Sequence, residues 1–228
     1  HLREHFIRNY KVNNERSLTI YNGIDLDVYT RERTSGIRKE LGIESSHILI
    51  GSIGNIRESK GYDVLLKSAA MVIEQYPQCR FVIVGEGSGA LYENILDMIH
   101  KPDLAGKVFL SGFRSDIPDI LKNLDIFVLP STSEGFSIVT LEAMASRIPV
   151  VVTKSGGPEE IVSTESGLIV QPGNPEDLTD AIMRLIVDTS IKEYCVKNAY
   201  ENLFRKFSKS IMIERYSQTY LSNLKNRR

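Results

Sequence analysis

Two glutamates, Glu134 and Glu142, have the spacing that most suggests a binding site. Seven residues separate them in the stretch PSTSEGFSIVTLEAMAS (130–146). Gly135 favours a turn directly after the first carboxylate, and the following pattern predicts a helix over 136–147. Glu134 would then lie at the mouth of this helix and Glu142 partway along its side. The first turn of the helix would present N–H groups without intrahelical partners, those of Phe136, Ser137 and Ile138.

A ligand with a diphosphate in its middle and hydroxylated groups at both ends matches this arrangement. The phosphates would accept hydrogen bonds from the helix N-terminus, and each carboxylate would accept them from a pair of hydroxyls. The alternative is that Glu134 only interacts with the helix dipole and that Glu142 is a charge on the helix surface. Apolar neighbours in the sequence indicate that Glu142 is partly shielded, which is costly for a carboxylate without a partner.

The loop GNIRESKG (54–61) is a second candidate, because it joins a predicted strand to a predicted helix. Arg57 and Lys60 place two cations at the helix start, where they oppose the helix dipole unless an anion lies between them. This indicates a phosphate or pyrophosphate. The alternative is a solvated turn in which Glu58 neutralises one of the cations.

A third loop, VGEGSG (84–89), superficially resembles a dinucleotide fingerprint. Its glycine spacing is wrong for that motif, and no Asp or Glu ends the next strand to bind a ribose diol. A nicotinamide or flavin site is therefore disfavoured, and the glycines are interpreted as serving the turn.

The elements that would position these loops alternate between short β-branched runs and longer amphipathic stretches. Most of the runs are apolar on both faces, which is typical of strands in a parallel sheet. The predicted strands are 48–53, 80–84, 107–111, 125–130, 149–153 and 168–170. The predicted helices cover 62–75, 90–99, 117–124, 136–147 and, after Asn174-Pro175, a stretch ending at 185. This order predicts an α/β fold, a Rossmann-like doubly wound parallel sheet of about six strands.

Both ends depart from the alternation. Residues 1–30 contain a helical start and the turn signal Asn22-Gly23. The tail from 191 to 224 reads as helical throughout, with an apolar stripe that must be buried, either on its own domain or on a partner domain. That stripe consists of Ile211, Tyr216, Tyr220 and Leu224.

Composition excludes several classes of protein. The 228 residues carry 28 Lys and Arg against 29 Asp and Glu, so bulk charge does not favour nucleic acid or an anionic membrane as a partner. No apolar run is long enough for a transmembrane segment. Two distant cysteines, Cys79 and Cys195, favour a reducing cytoplasm.

A metalloprotease reading of the H-x-x-E-H pattern at His1, Glu4 and His5 is disfavoured, because no third ligand is identifiable.

Taken together, the motifs resemble the carboxyl-terminal domain of retaining GT-B glycosyltransferases of the glycosyl transferases group 1 family. The resemblance covers about residues 17–205. It is carried by SLTIYNGIDLDVY, SGFRSDIPDIL, DIFVLPSTSEGFSIVTLEAMASRIPVVVTKSGGPEEIV and GLIVQPGNPEDLTDAI. Its most specific feature is the pair of glutamates set between DIFVLPS and EAMA.

The resemblance implies roles for matching residues. Glu134 would bind hydroxyls of the donor sugar, Glu142 the nucleotide ribose diol, and Lys60 with Arg57 the diphosphate in place of a metal. The donor diphosphate would also contact backbone amides of the loop at Gly135, Phe136, Ser137 and Ile138. The loop Gly112-Phe113-Arg114 would bind the base, with Arg114 against its ring.

The sequence departs from the family pattern at three places. Asn55 stands where many members carry Arg after the glycine, which leaves the diphosphate contact of Arg57 open. Ser137 replaces a frequent glycine, which would narrow the space near the phosphate. Ser146-Arg147 replaces a small residue and a glycine, a change interpreted as structural.

A complete member also has a first, acceptor-binding domain, which this sequence lacks. We therefore expect residues 1–30 to form an interdomain segment and 31–205 the donor-binding domain. Residues 206–228 would form a helix that packs toward the missing N-terminal domain. The expected location is cytoplasmic, and the missing half leaves peripheral membrane attachment open.

The expected function is transfer of a sugar from a nucleotide diphosphate sugar, of UDP or GDP, with retention and without a metal or other cofactor. The donor half alone would be inactive. The alternative is a non-catalytic module that binds a nucleotide sugar.

Overall fold

The computed structural model describes residues 2–11, 13–14, 17–30 and 36–225. Six strands form one sheet in which every paired neighbour is parallel. They are β1 (Ile48–Ile53), β2 (Cys79–Val84), β3 (Val108–Leu110), β4 (Ile126–Leu129), β5 (Val150–Thr153) and β6 (Leu168–Val170). The order β3-β2-β1-β4-β5-β6 confirms the predicted doubly wound fold and places its switch point between β1 and β4.

The helices cover both faces of the sheet. They are α1 (Leu2–Tyr10), α2 (Gly36–Glu40), α3 (Tyr62–Gln75), α4 (Gly89–Ile99), α5 (Ile117–Asn123), α6 (Ile138–Ala145), α7 (Pro158–Ile161), α8 (Pro175–Val187), α9 (Thr189–Lys206) and α10 (Lys209–Lys225). Among the described residues, one 3-10 helix, Leu26–Tyr29, contacts α5 and α6, and another, Glu58–Lys60, lies inside the loop 54–61.

Alternate residues of the strands enter two separate cores. In β5, Val150 and Val152 pack in the core beneath α5, α6 and α9, whereas Val151 packs in the core beneath α3, α4 and α8. All four residues of this strand are buried. Burial on both faces explains why the strand sequences are continuous apolar runs and not alternating ones.

Helix α6 begins two residues later than predicted. Ser137 is its N-cap in an extended conformation, and the first helical residue is Ile138. The sequence prediction placed Phe136 inside the helix, but its ring packs against both Tyr21 and Phe207 in a cluster of three rings. The unpaired N–H groups of the first turn therefore start after Ser137.

The predicted continuous helix of the tail is also wrong, because it breaks at Phe207 and Ser208. The N–H of Ile24 donates to the Phe207 carbonyl at 2.9 Å, and the N–H of Lys209 donates to the Ile24 carbonyl at 2.9 Å. Residue 24 therefore uses the backbone groups that a continuous helix would have required. After the break, α10 leaves the domain with Tyr216, Tyr220 and Leu224 exposed.

No helix in the described part of the chain is long and apolar enough to span a bilayer. The packing of residues 206–228 on another domain stays a prediction, and residues 226–228 lie outside the described residues. Within the described residues, the stripe does not find cover on its own domain, since the tyrosines and Leu224 remain exposed.

The unusual residue at the end of α6 has a structural role. Arg147 adopts a left-handed conformation, with φ of 58°. Its N–H donates to the Met144 carbonyl at 3.1 Å, and that of Ile148 donates to the Ala143 carbonyl at 3.3 Å. These bonds form a Schellman motif, which usually ends on glycine. The guanidinium lies 4.0 Å from the centre of the Tyr200 ring.

We expect this cation–π contact to offset the strain of the left-handed arginine. R147A keeps the positive φ and loses the contact, so it should lower the free energy of unfolding by about 0.5–1 kcal/mol. R147G also loses the contact but removes about 1 kcal/mol of strain, so its stability should stay near that of the wild type. Urea denaturation of the three proteins measures the difference. An R147G protein less stable than R147A would contradict the assignment of strain.

Candidate functional site

The loops after β1 and β4 are joined at the switch point of the sheet. The N–H of Thr132 donates to the Ser59 carbonyl at 2.8 Å. Gly61 has φ of +63°, and a Cβ built on it would lie 2.2 Å from the Pro130 carbonyl oxygen. Only glycine permits this backbone approach, which brings the 3-10 helix Glu58–Lys60 against the β4 loop.

This approach places Lys60 against Glu134. The Lys60 ammonium donates to Oε2 of Glu134 at 2.5 Å, and the Ser131 hydroxyl donates to the same oxygen at 3.2 Å. The two side chains are 20% and 17% exposed. The pair is therefore largely shielded from solvent, with a small part of each side chain exposed.

The loop after β5 holds Glu134 from the opposite side. The N–H of Glu134 donates to the Ser155 carbonyl at 3.0 Å, and the N–H of Gly157 donates to the Glu134 carbonyl at 3.1 Å. A Cβ on Gly157 would lie 1.7 Å from the carbonyl oxygen of Gly135. The sequence analysis gave this loop no role, although the pair Gly156-Gly157 in the loop after a predicted strand was a usable signal.

The residues of the predicted diphosphate-binding segment differ in how exposed they are. A Cβ on Gly135 would meet no atom within 4 Å, so the space beside this residue is open. Ser137 is buried, and its hydroxyl accepts a hydrogen bond from the Thr140 hydroxyl at 2.9 Å. The Ser137 side chain thus turns into its own helix, and Ile138 at the tip is exposed.

An open cleft of about 430 Å³ adjoins Glu134. Gly135 and Phe136 line it together with Tyr21 and Gly156. The ring of Tyr21 stacks on that of Phe136 with centroids 5.4 Å apart. Burial raises the pKa of the Tyr21 hydroxyl, and its hydrogen bond to Glu160 raises it further. Sequence reasoning missed Tyr21 as part of this region.

Glu142 lies on α6 and has a different partner. The Tyr29 hydroxyl donates to its Oε1 at 2.7 Å. Burial raises the pKa of the Glu142 carboxyl, and the hydrogen bond from Tyr29 partly opposes this. Glu142 is therefore not a plain surface charge. Glu134 and Glu142 bond to different elements, and Glu142 does not line the cleft beside Glu134.

The predicted base-binding loop follows β3 and is joined to the neighbouring loop, since the N–H of Gly85 donates to the Gly112 carbonyl at 2.9 Å. Phe113 is 69% exposed. The Arg114 guanidinium forms ion pairs with Asp116 and Glu40, both at 2.8 Å. The hydrogen bonds that Arg114 donates to Asp116 and, to a smaller extent, to Glu40 raise the pKa of its guanidinium. In return, Arg114 holds the pKa of the Asp116 carboxyl below its usual range.

The two predicted cations are separated. Lys60 pairs with Glu134, whereas Arg57 lines a small hollow with Asp63 and Leu91 between α3 and α4. Asn55 is exposed at the start of the same loop. The contact of Arg57 with a diphosphate stays a prediction.

A metal site finds no support in the described part of the chain, where no cluster of three His, Cys, Asp or Glu side chains could hold an ion. Of the H-x-x-E-H pattern, His1 and the side chain of His5 lie outside the described residues.

Comparison with known proteins agrees with the fold and the motifs. A family model described as Glycosyl transferases group 1 matches residues 34–202. An uncharacterized glycosyltransferase of Methanocaldococcus jannaschii is 30% identical over 215 residues, which cover 91% of this chain and 54% of that protein. The chain thus spans about half the length of the curated relatives it matches.

Solved structures give the same result. Anabaena HepE in complex with UDP superposes with a TM-score of 0.89 at 27% identity, over 96% of this chain and 61% of that one. The C-terminal domain of a glycosyl transferase group 1 family protein, LpcC of Francisella tularensis, is 26% identical with a TM-score of 0.72. That match covers 82% of this chain and 100% of the LpcC domain.

Because Glu142 is partly buried, we expect its ionised carboxylate to lower the free energy of unfolding of the unliganded protein. The pKa of this carboxyl is raised in the folded protein. Ionisation therefore destabilises the folded protein as the pH rises above the unfolded pKa. The effect vanishes at a pH where the carboxyl is protonated in both the folded and the unfolded protein. Glu142→Gln should raise the free energy of unfolding at neutral pH by about 0.5 kcal/mol, a value discounted for solvent contact.

Urea denaturation at neutral pH and near pH 4 measures this gain, which should disappear in acid. Glu93→Gln, on the exposed side of α4, is the matched control and should change little. A loss of stability in Glu142→Gln at neutral pH would refute the assignment.

Proposed function

This chain belongs to the glycosyl transferases group 1 family, and we propose that it forms the donor-binding domain of a retaining glycosyltransferase. The enzyme transfers a sugar from a nucleotide diphosphate sugar to an acceptor and uses no divalent metal. The acceptor is bound by the part of the protein that corresponds to the unmatched half of the relatives.

The observation that carries the proposal is the Lys60–Glu134 pair at the switch point of the sheet. In open parallel sheets, ligands bind beyond the carboxyl ends of the strands at this point. A diphosphate that approaches α6 attracts the ammonium of Lys60 away from Glu134. The carboxylate then accepts hydrogen bonds from hydroxyls of the sugar, and the space beside Gly135 admits the phosphates.

The same groups account for catalysis. When the sugar–phosphate bond breaks, negative charge develops on the departing diphosphate. Lys60 and the amides at the start of α6 stabilise this charge. Arg57 contributes as well when its side chain rotates out of the hollow between α3 and α4 toward the phosphates. Positive charge supplied by the chain replaces the metal that other phosphate-binding sites require.

UDP is the first nucleotide to test. The similar HepE structure contains UDP in one crystal and UDP-glucose in another. Glu142 on α6 binds the ribose diol, and the loop Gly112-Phe113-Arg114 binds the base. The edge of the Arg114 guanidinium is occupied by carboxylates, so Arg114 uses a face of its planar group against the base ring.

The domain assignment is part of the proposal. Residues 31–205 bind the donor, residues 1–30 connect them to the acceptor-binding half, and residues 206–228 pack toward that half. The exposure of Tyr216 and Tyr220 on α10 supports this arrangement, because an apolar helix face is normally covered.

The function is tested with the full-length protein. We expect UDP to raise its melting temperature more than GDP or ADP does, with or without EDTA. We also expect a UDP-sugar to be consumed with an acceptor and the product to keep the anomeric configuration of the donor, as measured by NMR. Donor binding without turnover would instead support a non-catalytic nucleotide-sugar-binding module. Loss of binding in EDTA would refute metal independence.

Lys60→Ala should abolish most of the activity of the full-length enzyme. Removing a group that stabilises the leaving diphosphate lowers kcat by about 100-fold or more. Initial rates of UDP release from the donor measure the effect. Lys67→Ala is the matched control, since Lys67 lies on the exposed side of α3 and pairs with Asp63. Equal kcat values for Lys60→Ala and the control would remove Lys60 from the catalytic site.

A further inference from the structure

Tyr29 is the direct partner of Glu142, although 113 residues separate them in sequence. Its hydroxyl donates to Oε1 at 2.7 Å. The other carboxylate oxygen, Oε2, accepts no hydrogen bond from the described residues. One oxygen of the carboxylate thus has a donor in the protein, and the other has none among the described residues.

We propose that Tyr29 is a positioning residue for donor binding, which fixes the Glu142 carboxylate so that it accepts hydrogen bonds from the ribose hydroxyls of the nucleotide. The inference rests on the proposed function, because it requires Glu142 to bind the ribose. Tyr29 itself does not contact the reacting atoms.

The surroundings of Tyr29 hold its hydroxyl in place. Tyr29 is only 9% exposed and ends the 3-10 helix Leu26–Tyr29. Its ring belongs to the core that also contains Leu141 and Ala145 of α6. A buried ring with few alternative rotamers keeps its hydroxyl in one direction, so the carboxylate it holds is preorganised before the ligand arrives.

Tyr29 also acts on the charge of Glu142. Burial raises the pKa of this carboxyl, and the donated hydrogen bond lowers it, because the bond favours the ionised form. Burial raises the pKa of the Tyr29 hydroxyl most, and the carboxylates of Glu142 and Asp25 raise it further. The hydroxyl therefore keeps its proton and remains a donor. No cation of the described residues contributes to the pKa of Glu142. The neutral hydroxyl of Tyr29 is its stabilising partner.

The experiment compares Tyr29→Phe with the wild type in the full-length protein, by calorimetric titration with UDP and with 2′,3′-dideoxy-UDP. Tyr29→Phe keeps the buried ring and removes only the donor. We expect UDP to bind about tenfold more weakly to this variant. The dideoxy nucleotide lacks the ribose hydroxyls that Glu142 binds, so its affinity should be the same for both proteins. A merely structural role of Tyr29 would weaken both ligands equally, and that result would overturn the proposal.

A pH profile gives a second readout. Without the hydrogen bond, the pKa of Glu142 rises further, so UDP affinity should begin to fall at a higher pH in Tyr29→Phe than in the wild type. Dideoxy-UDP should show no such displacement. Tyr194→Phe, which removes a hydroxyl from the exposed surface of α9, should match the wild type in both titrations. Identical UDP profiles for Tyr29→Phe and the wild type would overturn the proposal.

Glu142→Gln separates this inference from the proposed function. If the wild type binds UDP and Glu142→Gln weakens that binding, but Tyr29→Phe behaves as the wild type, only the role of Tyr29 is wrong. If the wild type binds neither UDP nor GDP, the proposed function is wrong, and the inference falls with it.

Discussion

The loop that carries Glu134 is held between the loops that follow β1 and β5, and the geometry of the whole candidate site depends on these contacts. On one side, the β1 loop contacts the β4 loop through Ser59 and Gly61. On the other, Glu134 exchanges backbone hydrogen bonds with Ser155 and Gly157. Because both sides approach at backbone distance, the carboxylate has little freedom to move away from Lys60. We therefore expect Glu134 to be preorganised, whereas the Lys60 ammonium has to move when it meets an anion in the proposed function.

The two carboxylates are stabilised in different ways. Glu134 is neutralised by an ammonium and receives a second hydrogen bond from Ser131. Among the described residues, Glu142 has only the neutral Tyr29 hydroxyl as a hydrogen-bond donor, and burial raises the pKa of the Glu142 carboxyl. In the proposed function, a diphosphate would compete with Glu134 for Lys60, and a diol would donate further hydrogen bonds to Glu142. The raised pKa of Glu142 is the reason we expect its ionised carboxylate to lower the stability of the unliganded domain.

Much of the fold could be predicted from sequence because its signals are local. Strands buried on both faces read as continuous apolar runs, and helix α3 was predicted with its observed bounds. Asn174 caps α8 through Asp177, as the Asn-Pro signal indicated. The start of α6 was misplaced because Phe136 fits a helical apolar pattern, while its ring is bound by residues distant in sequence. Likewise, the tail breaks where Ile24 takes its hydrogen bonds.

Long-range contacts explain what sequence reasoning missed in the site. The segment that contains Tyr21 and Tyr29 was predicted only as a connection, yet it contacts the site in two places. Tyr21 stacks on Phe136, just before α6, and Tyr29 bonds to Glu142 within it. The segment also pairs through Ile24 with the junction between α9 and α10. A change in its direction would therefore act on Phe136 and Glu142 together, because one short stretch of chain supports both.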